Sequence, residues 1–267
     1  MDEPATRTKR RWGPLVNRST LVSALDAEFS FYAGQDASKN GLQIRGRRTV
    51  SKVAVACDAA LETIENAARA HADLLVVHHG LRWDGQDPLT KDVLFQARLN
   101  AAQKAGLNVY AQHLPLDAHP RLGNNVLLAE ALGLRGITPA CSYEGAKIAF
   151  KGRLEKPLSL DALARRVTKK IGAAYSVLPF GASYVKRVAV CSGSGGFCAS
   201  FAKREGFDTL VVGEFKHSDY HDAKEYGVNV IEAGHYNTEV VGVQAVGRWI
   251  EERFGIPFVF IDVPTGF

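Results

Sequence analysis

Short, continuous apolar runs recur along this chain, separated by amphipathic stretches of helical period. The first half carries three such runs, VSKVAVACD (50–58), ADLLVVHHG (72–80) and LNVYAQHLPLD (107–117). Between them lie AALETIENAARAH (59–71) and PLTKDVLFQARLNAAQKAG (88–106), whose apolar positions repeat every three to four residues. Continuous runs predict strands covered on both faces, and their alternation with helices predicts α/β architecture. Ahead of them, Ser19 or Thr20 can N-cap a helix over LVSALDAEFS, since a hydroxyl accepts from free first-turn N–H groups. The polar stretch AGQDASKNGLQI (33–44) then predicts a loop leading into a short strand.

The second half repeats the plan. Shifted by 135 residues without a gap, residues 50–77 fall on 185–212 with ten identities in 28 positions, where chance gives about two. VxxVAV and DxLVV carry most of them, and GLNVYAQH (106–113) matches GVNVIEAGH (227–235). An internal duplication is the expectation. The fold class that follows is α/β, with two similar lobes of mixed sheet flanked by helices and a functional site between them. The expected boundaries are a basic flexible tail over 1–18, a first lobe over 19–142 and a second over 143–254. The junction is expected at CSYEGAK (141–147), and the C-terminal strand in 255–267 is expected to return to the first lobe.

Length and composition narrow this picture without changing it. A chain of 267 residues, 46% hydrophobic and 23% charged, is ordinary globular material. No apolar run reaches the roughly 20 residues that span a bilayer, and the first residues, with Asp2 and Glu3 and no apolar h-region, give no expectation of a secretory leader. The net charge of +5 hints at nucleic acid. Its location weakens the hint, because Arg7, Lys9, Arg10, Arg11 and Arg18 outweigh Asp2 and Glu3 in the first 18 residues. Only +2 remains for the other 249, too little for a phosphate-tracking face. Cys57, Cys141, Cys191 and Cys198 are too few and too irregularly spaced for a disulfide framework or a thiolate zinc site. A cytoplasmic setting is the expectation, with any metal held by nitrogen and oxygen.

Those donors collect at predicted strand ends, where ligands of open α/β sheets bind. His78 and His79 close the run LLVV, and burying two imidazoles without partners costs about 1–3 kcal/mol each. Asp117 follows the next strand in HLPLDAH; in isolation it also suits a turn or a helix N-cap. His235 and Glu239 in GHYNTE are four apart, so a helix puts them on one face. Three imidazoles and two carboxylates exceed a mononuclear catalytic zinc site, which keeps three protein ligands and a water. They suit two ions about 3.5–4 Å apart. The donor set leaves zinc, manganese, iron, cobalt and nickel open. His113 and His119 are the proton-transfer candidates, and Glu214 falls on His79 in the internal alignment. CSGSGG (191–196) reads as a tight turn rather than an anion nest, since it lacks a Lys-Ser/Thr ending. His217 and His221 lie in the strongly polar KHSDYHDAKE and are expected at the surface.

The set NGLQ (40–43), VVHHG (76–80), HLPLDAH (113–119), GE (213–214) and GHYNTE (234–239) resembles the NIF-three-like dinuclear-metal family, whose members carry the label GTP cyclohydrolase I type 2 homolog. The resemblance runs from about residue 20 to the C-terminus. It implies two metal ions per subunit on His78, His79, Asp117, His235 and Glu239, and a toroidal homohexamer with sites facing an interior cavity. It also implies a cyclohydrolase-like attack of activated water on a nucleotide.

Two functions compete on these residues. One is a metal-dependent hydrolase acting on a nucleotide or other phosphorylated metabolite. The other is a non-catalytic metal-binding or regulatory hexamer, suggested by the lack of a recognisable phosphate clamp or nucleophile triad. Nucleic-acid binding through the basic tail is a minor third reading, and no membrane partner is expected.

Overall fold

A computed structural model describes residues 13–85, 92–172 and 174–267. Most of the basic tail, residues 1–12, lies outside the described residues, as does the start of the predicted helix at 88–91.

The first half runs β1 (Val16–Asn17), α1 (Arg18–Glu28), β2 (Gly41–Ile44), β3 (Thr49–Val50), β4 (Val53–Asp58), α2 (Leu61–Arg69), β5 (Leu74–His79), α3 (Val93–Ala105), β6 (Asn108–Ala111), α4 (Leu114–Asp117) and α5 (Asn124–Ala131). The second continues with β7 (Arg135–Tyr143), β8 (Ala146–Ser159), α6 (Leu160–Ile171), β9 (Ser176–Leu178), β10 (Tyr184–Cys191), α7 (Ala202–Glu205), β11 (Thr209–Val212), α8 (Tyr220–Tyr226), β12 (Asn229–Glu232), α9 (His235–Phe254) and β13 (Phe258–Phe260).

Two mixed sheets result, both flanked by helices. The first has the order β13-β4-β5-β6-β2, parallel except for β2. The second has the order β7-β8-β10-β11-β12-β9, with β10, β11 and β12 parallel. The period-two alternation of a strand decides which side chain meets which helix. Val53 and Val55 of β4 join Leu21 and Leu25 of α1 and Val243, Val246 and Ile250 of α9. Ala54 and Ala56 turn the other way, toward Ile64 and Ala67 of α2 and Phe95 and Ala102 of α3. Both faces are dry, which is why the runs show no alternation.

The helices between the halves change sides. α5 follows the first sheet but buries Leu128 and Ala129 with Val188 and Val211 of the second. α9 follows the second sheet but packs on the first, and β13 then pairs with β4. The two helices touch where Gly242 N–H donates to Asn124 Oδ1 at 2.8 Å. A side chain at Gly242 would collide with that carboxamide, so only glycine allows the approach.

Three local expectations change. The cap of α1 is Asn17, whose Oδ1 accepts from Ser19 N–H at 2.9 Å; extended β1 delivers it directly to the helix. Asn17 also belongs to a strand, since β1 pairs with β3, so the span read as tail includes part of a sheet. CSYEGAK is the tip of the β7–β8 hairpin inside the second sheet, and the chain passes between sheets earlier, through α4 and α5. Glu144 and Gly145 at that tip both take positive φ, 47° and 88°, as a tight two-residue hairpin turn requires. Among the described residues, no helix is long and apolar enough to cross a membrane.

Candidate metal centre

The parallel strands of the first sheet deliver their carboxyl ends to one edge, and α9 starts against that edge. β5 runs through His79, so both histidines are still strand residues rather than lying just beyond it. At the edge their rings nevertheless turn together, with centroids 4.7 Å apart. Asp117 is the last residue of the short helix α4, which replaces the expected turn. His235 is the first residue of α9, and Glu239 stands one turn on, buried.

The donors fall into two groups that share one residue. His78 Nε2 is 3.6 Å from Asp117 Oδ2 and 3.5 Å from Glu239 Oε1. Glu239 Oε2 is 3.3 Å from His79 Nε2 and 3.2 Å from His235 Nε2. Each group of three brings one donor atom per residue within 4.8 Å of the others, close enough to hold a metal ion. Two donors of one tetrahedral ion at about 2.1 Å stand about 3.4 Å apart, so these separations are those of ligands around a common centre.

A buried orphan atom tests the fit. His78 is fully buried, and its Nδ1 lies 3.0 Å from the carbonyl oxygen of Gln112, which can only accept. Nδ1 therefore carries a proton, and Nε2 is the atom turned toward the carboxylates. That Nε2 has no hydrogen-bond partner and faces two carboxylates. A lone pair between two anions in a dry site is unfavourable, so the atom calls for a positive charge, a proton or a metal ion, among them. The other imidazoles follow the same rule. His79 Nδ1 donates to Asp58 Oδ1 at 2.8 Å and His235 Nδ1 to Glu214 Oε2 at 3.0 Å. Every Nε2 is thus turned inward by a fixed acceptor behind the ring. Asp117 is held likewise, its Oδ1 accepting from Asn124 Nδ2 and Ser192 Oγ, both at 2.8 Å, which leaves Oδ2 for His78.

The electrostatics favour positive charge. Burial opposes protonation of His78, but Asp117 and Glu239 outweigh it and raise its pKa to about 9. Burial likewise opposes a charge on His235, and Glu239 and Glu214 raise its pKa to about 9. Burial would raise Glu239, yet His78 and His79 hold it well below the ordinary carboxylate range.

Gly193 completes the wall. It takes a φ of +56°, and a side chain there would strike Glu239 and approach His235. Its N–H donates to Thr238 Oγ1 and its carbonyl accepts from Glu214 and Gly195 N–H, so CSGSGG is a structural turn.

The remaining candidates divide. His113 is at the site, its ring 5.0 Å from that of His78 and its Nδ1 2.8 Å from Asp36 Oδ1. Glu214 stands behind His235. His119 does not belong: its Nε2 is 3.2 Å from Glu28, its Nδ1 accepts from Arg121 and Leu122 N–H, and Phe29 and Phe31 pack on it. His119 stands two residues beyond Asp117, which carries its ring around α4, toward α1. His217 and His221 are exposed. Asp36, Asp58, Asn124 and Ser192 were missed. Asp58 alone left a signal, a carboxylate at a strand end like the ligands themselves.

A cavity of about 540 Å³ opens onto this centre, with Trp83, Tyr143 and Phe197 as aromatic walls and Lys216 at its edge. That is the size range of pockets for small organic ligands.

Comparison with known proteins agrees with this fold. A model of the Duf34/NIF3 (NGG1p interacting factor 3) family matches residues 16–266. A Pyrococcus horikoshii protein named GTP cyclohydrolase 1 type 2 homolog is 44% identical over 94% of this chain and 100% of its own length. A crystal structure from Thermus thermophilus superposes with a TM-score of 0.83 at 41% identity, covering 94% of this chain and 100% of that one. The structure of protein ybgI, described as of unknown function, superposes with a TM-score of 0.87 at 32% identity, covering 94% and 99%.

Proposed function

This chain belongs to the Duf34/NIF3 family, and from that premise we propose that it is a dinuclear metal-dependent hydrolase of a nucleotide or other phosphorylated metabolite. In this reading His78, Asp117 and Glu239 would hold one divalent ion, and His79, His235 and Glu239 would hold the other. His78 Nε2 carries the proposal, because it lies buried between two carboxylates with no hydrogen-bond partner, a place that calls for a cation. The nitrogen and oxygen donors admit zinc, manganese, iron, cobalt or nickel.

Two divalent ions held there would supply a water acidic enough to attack near neutral pH and would polarise the bond attacked. The chain's own residues do the rest. Glu239 fixes the spacing of the two groups, while Asp58, Glu214 and the Gln112 carbonyl orient the imidazoles. His113, anchored through Nδ1 by Asp36, has Nε2 available to take a proton or return it to a leaving group. Trp83, Tyr143 and Phe197 offer faces against which a planar base can stack, and Lys216 offers a counter-charge to an anionic group.

The name of the relatives puts GTP first in a panel of nucleotides and phosphoesters. Metal-loaded protein is expected to turn over at least one member, and Asp117→Ala and Glu239→Ala to abolish the activity and lower metal content. Turnover that survives both substitutions would end the assignment. The proposal also includes two lobes that derive from a duplication and a toroidal homohexamer, for which light scattering should give six times 29.0 kDa.

A further inference from the structure

A second cavity, of about 270 Å³, adjoins the metal centre on the far side of His79, which lines both. It is smaller than the pockets that enclose whole drug-sized ligands, so it is scaled to a group rather than a molecule. Its floor is the turn from β4 into α2. Ala60 occupies the N-cap of α2 with no side chain to give, so the first-turn N–H groups of this nine-residue helix are uncapped. Thr63, in that first turn, lines the cavity, is 1% exposed, and its Oγ1 has no hydrogen-bond partner. Arg98 reaches the same cavity from α3 and has no ion-pair partner among the described residues.

A helix N-terminus, an unsatisfied buried hydroxyl and an uncommitted guanidinium all call for the same kind of partner, an oxyanion with several acceptor oxygens. Among the described residues Asp58 is the one anion on the wall, and its Oδ1 is already taken by His79. We propose that this cavity is a phosphate subsite, in which Arg98, Thr63 and the first turn of α2 hold a phosphate group beside the metal centre. It deepens the hydrolase reading by giving the substrate's anionic group an address, and it rests on that reading only for the identity of the substrate.

Calorimetric titration of inorganic phosphate into the metal-loaded full chain tests it, with metal content measured in parallel. Arg98→Ala should weaken binding at least about tenfold, and Thr63→Val severalfold, with metal content unchanged. Thr63→Val is close in shape and removes an unsatisfied hydroxyl, so its fold is not at risk. Phosphate affinity that ignores both substitutions but disappears in His235→Ala would assign phosphate to the ions themselves and overturn the subsite, leaving the hydrolase reading intact. Weakened binding in Arg98→Ala from a protein that carries no metal would uphold the subsite and refute the dinuclear reading. A nucleoside monophosphate run alongside separates the sources: tighter binding than inorganic phosphate marks a phosphorylated substrate, and equal binding marks free phosphate.

Discussion

His78 Nε2 and Glu239 Oε1 stand 3.5 Å apart in a fully buried site, too far for a strong hydrogen bond and close to the spacing of two ligands on one ion. The other oxygen of the same carboxylate faces His79 and His235. A single side chain from α9 therefore meets both halves of the cluster.

Removing that carboxylate should cost both ions. Glu239→Ala is expected to leave less than one ion per chain by elemental analysis, whereas His113→Ala should retain the wild-type stoichiometry. Full metal content in Glu239→Ala would contradict the shared role.

Residues behind the ligands should matter by a smaller amount. Asp58→Asn and Glu214→Gln leave His79 and His235 in place but weaken the acceptor that fixes each ring. Metal affinity, measured by competition with a chelator, should fall about 10–100-fold in each. His119→Gln, despite its place in HLPLDAH, should leave affinity unchanged.

The contact between α5 and α9 ties the fold to the site. Asn124 accepts from Gly242 N–H and donates to Asp117 Oδ1, both at 2.8 Å, and is fully buried. Asn124→Ala takes one partner from the buried Gly242 N–H and one from Asp117 Oδ1, which keeps Ser192, at a cost of about 1–3 kcal/mol. Chemical denaturation should show that loss, and metal titration should show weaker binding from the loosened Asp117.

Much of this was legible in the chain. Strands dry on both faces announced themselves as VAVAC and LLVV, and the shared address of the ligands followed from each lying where a strand run ended. What sequence could not supply was long-range exchange. Nothing local in NNVLLAEA or VVGVQAV says that each helix packs on the other half's sheet, because both patterns satisfy any apolar face. The carboxylate of Asp36 lies 77 positions from the imidazole it anchors, a pairing that only the folded topology defines. His119 misled for the opposite reason: it is near Asp117 in sequence, and α4 turns its ring away.

The metal-free chain should be sensitive to pH in a window the loaded chain lacks. Burial disfavours charge on His78 and His235, but the carboxylates around them prevail and raise both pKa values to about 9, above the ordinary 6.5. A pKa raised on folding contributes stability that is fully present below the unfolded value and is lost as pH rises through the folded one. Metal-free protein should therefore lose thermal stability between pH 6.5 and about 9. With ions bound, the same nitrogens are ligands rather than bases, so that slope should disappear. Because a ligand imidazole must be neutral, uptake at pH 7 should also release about two protons per chain. Calorimetry in buffers of different ionisation enthalpy counts them. A release near zero, with equal melting profiles for both forms across that window, would mean that His78 and His235 do not exchange protons for metal.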